Sequence, residues 1–461
     1  MKAKKIWLLW AFLGGCLLVS CSNEEKEENL YDPSQPIEIT GFKPAEGSAR
    51  TRLLISGRNF GTDASRLKVT IGGENAKVVG SDGTTIYCII PPRAFSGQIE
   101  VSIDTDDGPK MATASGKLKY IPKTIVSTLC GYVSPTGEYT IKDGTFEECG
   151  IGDANWLSMD PKDHNKMYVI EERASLRIAD LKEETLTTHL SVGQMNISRI
   201  RSVNWFPTGD KMLISNDQGA DDGISNITLG REDGFLSATP LIYSKSCNGS
   251  NVHPVNGEVY YTQWEAGSIW RYDPSEDKKE ELFKIWDNGY EARLHFHPTG
   301  NYCYIVVLNK NCIVKSNYDW ANKRLVVGNL FVGDYGQSGY LDGVGKQARF
   351  NGLQQGVFVK NEKYVREGKS DIYDFYIADS NNHCIRRITP EGMVTTYAGR
   401  GSVGTDGAAD GYVDGDLRKE ARFKNPSGLT YDEETKTFYI ADYNNHRIRT
   451  IAVEDEETAK K

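Results

Sequence analysis

Few residues in this chain are spaced for chemistry. His295 and His297 alternate along Leu294-His-Phe-His-Pro-Thr-Gly300. Alternation puts both imidazoles on one face of a strand, where a metal could be held. The same stretch also reads as the first strand of a repeated unit followed by its turn, so no metal is expected there. Asp221-Asp-Gly223 and Asp104-Thr-Asp-Asp-Gly108 carry carboxylates at a density that suggests calcium. Neither continues into the full ligand series with a terminal Glu, so both read as turns. There is no Gly-x-Ser-x-Gly elbow, no His-Glu-x-x-His pair and no phosphate-cradling glycine loop. Neither catalysis nor a cofactor is expected. What remains is a set suited to recognition: Trp156, Arg201, Asp217, Gln263, Trp264, Arg293, Asn309 and Tyr443. Indoles stack on the apolar CH faces of a sugar ring, while amides, guanidinium groups and carboxylates bond its hydroxyls.

Those residues must be brought together by a fold, and an internal repeat says which. Phe375-Tyr-Ile-Ala-Asp-Ser-Asn-Asn-His-Cys-Ile-Arg-Arg-Ile388 recurs 63 residues later as Phe438-Tyr-Ile-Ala-Asp-Tyr-Asn-Asn-His-Arg-Ile-Arg-Thr-Ile451. Each copy is an apolar run, a polar turn and an alternating run, which is a β-hairpin. Fainter copies start at Met167, Met212, Val259 and Cys303. The turns Asp160-Pro161, Phe206-Pro207, His253-Pro254 and His297-Pro298 precede them at intervals of 46, 47 and 44 residues. Hairpins repeated at long period and stacked radially make a β-propeller, here of six blades. After the fifth hairpin comes a strand-like Met393-Val-Thr-Thr-Tyr-Ala-Gly399, but the sixth runs into Glu454-Asp-Glu-Glu with no such strand. Ile125-Val-Ser-Thr-Leu-Cys-Gly131 is the missing piece and is predicted to close the last blade from the N-terminal side. In such a ring the loops entering each innermost strand and the hairpin loops between second and third strands share one face. That face gathers the eight recognition residues. Trp270, Trp286 and Trp320 fall on outer strands or linkers and are predicted to be structural.

The two strong hairpins resemble NHL repeats, and Gly339-Tyr-Leu-Asp-Gly343 with Ala348-Arg-Phe-Asn-Gly352 fits the linker of that family, as does Gly411-Tyr-Val-Asp-Gly415 with Ala421-Arg-Phe-Lys-Asn425. The resemblance implies that His383 and His446 pin loops rather than bind ligands. Upstream, strand-length runs punctuated by Gly and Pro fill residues 36–122, the pattern of an immunoglobulin-like sandwich. Ile55-Ser-Gly-Arg-Asn-Phe-Gly61 and Ile90-Pro-Pro92 resemble an IPT/TIG domain. That resemblance implies a spacer. The fold class is thus all-β, an IPT/TIG sandwich followed by a six-bladed NHL-type propeller over residues 123–453 and a charged tail at 454–461.

The chain has 461 residues and a formal net charge of −9, without a basic stripe, so nucleic acid is not an expected partner. Lys2, Lys4 and Lys5 precede an apolar run from Ile6 to Val19, the plan of a secretory signal. Residues 1–21 end in Leu18-Val19-Ser20-Cys21, which resembles a bacterial lipobox and makes Cys21 the expected lipidation site. Residues 22–35 read as an acidic tether. Seven cysteines beyond Cys21 include no Cys-x-x-Cys pair, and Cys303 and Cys312 lie near enough on one hairpin to pair. Taken together, these parts are similar to auxiliary surface lipoproteins of polysaccharide-utilisation systems. The resemblance implies a non-enzymatic outer-membrane protein facing the cell surface and held to the membrane only by its lipid. Its partners would be a glycan, a TonB-dependent transporter and neighbouring surface lipoproteins. A protein–protein scaffold on the outer membrane, and a propeller lyase or hydrolase, are the alternative readings.

Overall fold

The computed structural model describes residues 31–285, 288–401 and 408–455. The predicted signal segment with Cys21, most of the tether, Trp286 and most of the charged tail lie outside the described residues. Among the described residues no helix is long and apolar enough to cross a membrane. The chain divides into two compact units, the second spanning Lys123–Glu454.

In the first unit seven strands form one continuous sheet in the order Glu38–Lys43, Arg52–Arg58, Thr85–Ile89, Glu74–Ser81, Leu67–Ile71, Gln98–Ile103 and Lys110–Lys117. Alternation decides which side chains enter its core: Leu53 and Ile55, Val69 and Ile71, Ile99 and Val101 are all without exposure. Gly57 follows that pattern for a steric reason, since a Cβ there would stand 2.0 Å from the Glu38 carbonyl oxygen.

The second unit is a six-bladed propeller. The innermost strands of blades 1 to 6 are Ala154–Met159, Ile200–Trp205, Ser250–Val252, Ala292–Phe296, Leu353–Lys360 and Pro426–Asp432. Each pairs antiparallel with the apolar strand recognised in the sequence, for example Leu157 with Val169 and Leu294 with Ile305. The last blade is completed from the N-terminal side, as its missing strand requires. Thr124–Cys130 pairs with Arg447–Val453, Val126 facing Ile451. Gly131 then holds the place that Gly399 holds in blade 5. Both have positive φ, and a Cβ on either would meet a histidine carbonyl oxygen, that of His446 at 2.4 Å and of His383 at 2.6 Å.

A buried arginine clamps three blades. Arg386 donates to Asp379 and Asp342 at 2.8 Å each, and to the carbonyls of Arg349 and Leu341. Arg449 repeats the pattern with Asp442, Asp414 and the carbonyls of Arg422 and Val413. Arg177 does so in blade 1 with Glu171, Asp143 and the carbonyls of Gly150 and Lys142. The linker acid in each is also bound by a threonine of the outermost strand: Thr396, Thr188 and, from the closing strand, Thr128. The sequence resemblance picked out the two linkers that carry Asp342 and Asp414, but not the clamps they enter. In blade 1 Glu171 stands where blades 5 and 6 have Asp379 and Asp442.

One expectation about the cysteines is corrected. Cys303 faces Ser316 and Cys312 faces Val307, so the register separates the two thiols along the hairpin, and both are free and buried. The thiols that do meet are Cys130 and Cys149, joining the closing strand to the segment that leads into blade 1.

Candidate functional site

The innermost strands point side chains into the central channel, and there the predicted residues separate into two groups. Trp156 and Arg293 fill the channel rather than face solvent. Trp156 is 3% exposed, donates its indole N–H to the Val203 carbonyl at 2.9 Å and stacks on His295, with ring centroids 5.7 Å apart and planes at 11°. Since Trp156 belongs to blade 1 and His295 to blade 4, this stack bridges the ring. The Arg293 guanidinium lies 5.7 Å from the Trp156 ring centre and donates to the backbone carbonyls of Arg201 and Asn248. Burial, then the neighbouring Arg201 charge, pulls its pKa down to about 9, which leaves it charged at neutral pH.

Arg201 and Asp217 belong to the same cluster. Arg201 donates to Asp217 at 2.8 Å and to Glu172, and Arg199 donates to Glu172 at 2.7 Å. Burial alone would raise the Glu172 pKa, but Arg201 and Arg199 together hold it below the usual carboxylate value. Tyr443 stands beside it: burial, then Asp153 and Glu172, push its phenol up to about 12, so it remains a neutral donor. Five predicted residues therefore meet at one channel mouth. Beside them Asn248, 1% exposed, has neither side-chain amide atom hydrogen-bonded among the described residues, and the same holds for Asn155 Oδ1, Ser250 Oγ and His295 Nε2. Each such atom costs on the order of 1–3 kcal/mol when it is left without a partner, so the mouth concentrates unspent polar capacity.

The second group sits on the rim of blades 3 and 4. Gln263 donates to Ser244 Oγ at 2.6 Å. The Trp264 carbonyl accepts from the amides of Gly267, Gly289 and Tyr290, which fixes the loop that presents a half-buried indole. Exposed Asn309 donates to the Gly289 carbonyl at 2.7 Å, so Trp264 and Asn309 hold the same segment from opposite sides.

The histidine pair does not gather a metal site. His295 is held neutral, its pKa lowered to about 3 by burial and then by Arg293. His297 bonds Thr299 at 2.7 Å and Asp371 at 3.3 Å. Among the described residues no three His, Cys, Asp or Glu side chains group as metal ligands. His383 and His446 act between blades: Nδ1 of His383 accepts from the Asn425 amide at 3.1 Å, and His446 stacks on Tyr139. Sequence reasoning missed Arg199, whose only signal was a second arginine two residues before Arg201.

Comparison with known proteins fits this architecture. The IPT/TIG domain family matches residues 36–120, and the NHL repeat family matches residues 423–451. A crystal structure from Bacteroides thetaiotaomicron, described as an auxiliary nutrient binding protein, is 44% identical with a TM-score of 0.86, covering 93% of this chain and 100% of its own. The chain belongs to the same family of TIG–NHL propeller proteins. A second member of that TIG–NHL family, from Bacteroides ovatus and also described as an auxiliary nutrient binding protein, is 35% identical with a TM-score of 0.70, covering 92% of this chain and 100% of its own. A third, from Bacteroides thetaiotaomicron and described provisionally as a phosphatase, is 36% identical with a TM-score of 0.80, covering 92% and 99%. More distantly, human NHL repeat-containing protein 2 is 26% identical over 334 residues, or 68% of this chain, which spans only 40% of that protein's length.

Proposed function

We propose that this TIG–NHL propeller is a non-catalytic lipoprotein that captures glycan at the cell surface, anchored through Cys21, for a TonB-dependent uptake system. The observation that carries the reading is its 44% identity, over the whole of the relative, to a protein described as an auxiliary nutrient binding protein. The geometry of the propeller supports recognition over turnover. Of the carboxylates at the channel mouth, Asp217 is paired with Arg201, and Glu172 is held below the usual carboxylate range by Arg201 and Arg199, so it is not a proton donor for acid catalysis. The rim group offers what a sugar needs, an indole beside amides on a fixed loop.

Affinity electrophoresis tests this. The protein is run through gels containing xyloglucan, galactomannan, pectic galactan or mucin glycans, beside Trp264→Ala. Retardation by at least one glycan is expected. Unretarded migration on every gel refutes glycan capture and favours a scaffold. Because one relative is described provisionally as a phosphatase, hydrolysis of p-nitrophenyl phosphate is the matching test of the enzymatic reading, and no turnover above buffer is expected.

A further inference from the structure

At the end of the propeller opposite the channel mouth, a cleft of about 320 Å³ opens between blades 5 and 6. Strand register fixes the end. Lys360, which lines the cleft, pairs with Tyr373, whereas Leu353 at the other end of that strand pairs with Asp379 beside the mouth-side hairpin loop. Three half-buried tyrosines line it: Tyr376 and Tyr397 from blade 5 and Tyr431 from blade 6. All three pack on one buried ring, Phe438, at centroid distances of 4.7, 5.6 and 4.6 Å. None of their hydroxyls has a hydrogen-bond partner among the described residues. Burial, and then Tyr397 beside Tyr376 and Tyr431 beside Tyr397, push the Tyr376 and Tyr397 phenols up, the latter to about 12, so they stay neutral donors.

The polar wall of the cleft comprises Lys360, Asn361, Glu362 and Lys436, with Asp374 behind them at 1% exposure. The Asp374 Oδ2 accepts from Asn361 at 2.7 Å and lies 3.0 Å from Arg387 Nε, and Tyr364 also bonds this carboxyl. Rigid phenol faces tipped with unused hydroxyls, beside a polar wall and in a volume within the range of small-ligand sites, suit a pyranose ring. Its CH face would lie on the phenols, and its hydroxyls would bond the tyrosine hydroxyls.

We propose that the cleft between blades 5 and 6 is a saccharide-binding site that seats a pyranose unit of the captured glycan on Tyr376, Tyr397 and Tyr431. This rests on the glycan reading above but places a contact on a surface the channel-mouth residues do not reach. The test uses the full-length protein, solubilised in detergent, on the same four glycan gels, with Tyr397→Ala, Tyr431→Phe and Trp264→Ala. Tyr431→Phe keeps the ring on Phe438 and removes only a hydroxyl, so an unchanged melting temperature separates lost binding from lost folding. The expected result is about tenfold or greater weakening by Tyr397→Ala and a smaller, several-fold weakening by Tyr431→Phe. If both variants migrate like the wild type on a gel that retards it, the cleft is not the site, while glycan capture stands. If the wild type passes unretarded through all four gels, both proposals fall together.

Discussion

Asp442→Asn isolates what the buried arginine clamp contributes. Asp442 has no exposed surface and accepts three bonds of 2.7 Å each, from Arg449, from Asn445 and from the Lys424 amide. An amide of the same shape keeps one acceptor and turns an N–H pair toward a donor. It also leaves Arg449, itself unexposed, without its buried counter-charge. Removing one partner of a buried ion pair costs about 3–5 kcal/mol. The lower end applies, because Arg449 keeps Asp414 and two backbone carbonyls. For a domain spanning Lys123–Glu454, about 3 kcal/mol lowers the melting temperature by about 4 °C. Differential scanning calorimetry reads the shift, and Asp379→Asn in blade 5 supplies a repeat of the same perturbation. Adding Arg449→Met to Asp442→Asn should recover part of the loss, since it removes the stranded charge. A single variant melting within about 1 °C of wild type would falsify the clamp's energetic role, as would a double variant less stable than the two single losses combined.

Three further outcomes are expected. Trp264→Ala should weaken glycan retardation on the gel that retards wild type without changing the melting temperature, because its half-buried ring belongs to a loop fixed by backbone bonds. Stability should fall as pH drops below about 6.5. His295 gains its proton in the unfolded chain there, but only near pH 3 in the folded one, which amounts to about 2 kcal/mol lost by pH 5; urea midpoints across that range should flatten in His295→Gln. Val126→Pro should lower the propeller's melting temperature by several degrees, since it removes a ladder donor and a fully buried side chain from the closing strand; a native-like melt would mean that strand is dispensable.

Why some of this was legible in the sequence and some was not comes down to locality. The blades showed because a hairpin carries its signal within about fifteen residues, and Phe375–Ile388 and Phe438–Ile451 spell it almost identically. The closing strand showed because Ile125–Gly131 repeats the form of Met393–Gly399, down to a glycine that must take positive φ. The channel stack was not legible. Alternation says that Trp156 leaves one face of its strand, but not that a ring from blade 4 waits for it across the axis. The tyrosine cleft is harder still, because Tyr376, Tyr397 and Tyr431 come from strands of two blades and each alone looks like ordinary packing between sheets. The arginine clamps were not legible either, because each joins a linker acid to an arginine on a strand much later in the chain.

The closing strand sets a timetable for making the protein. The Lys123 amide bonds the Glu454 carboxylate across 331 residues, so the first strand of the ring to be synthesised is the last to find its neighbour. Until then its amides and carbonyls form an open ladder, the kind of edge that recruits strands from other chains. Bringing such distant segments together is also entropically slow. The chain is therefore most exposed to mispairing while nearly all of it is already made. A chaperone that shields Thr124–Cys130 during that interval would raise the yield of native protein without touching any native contact.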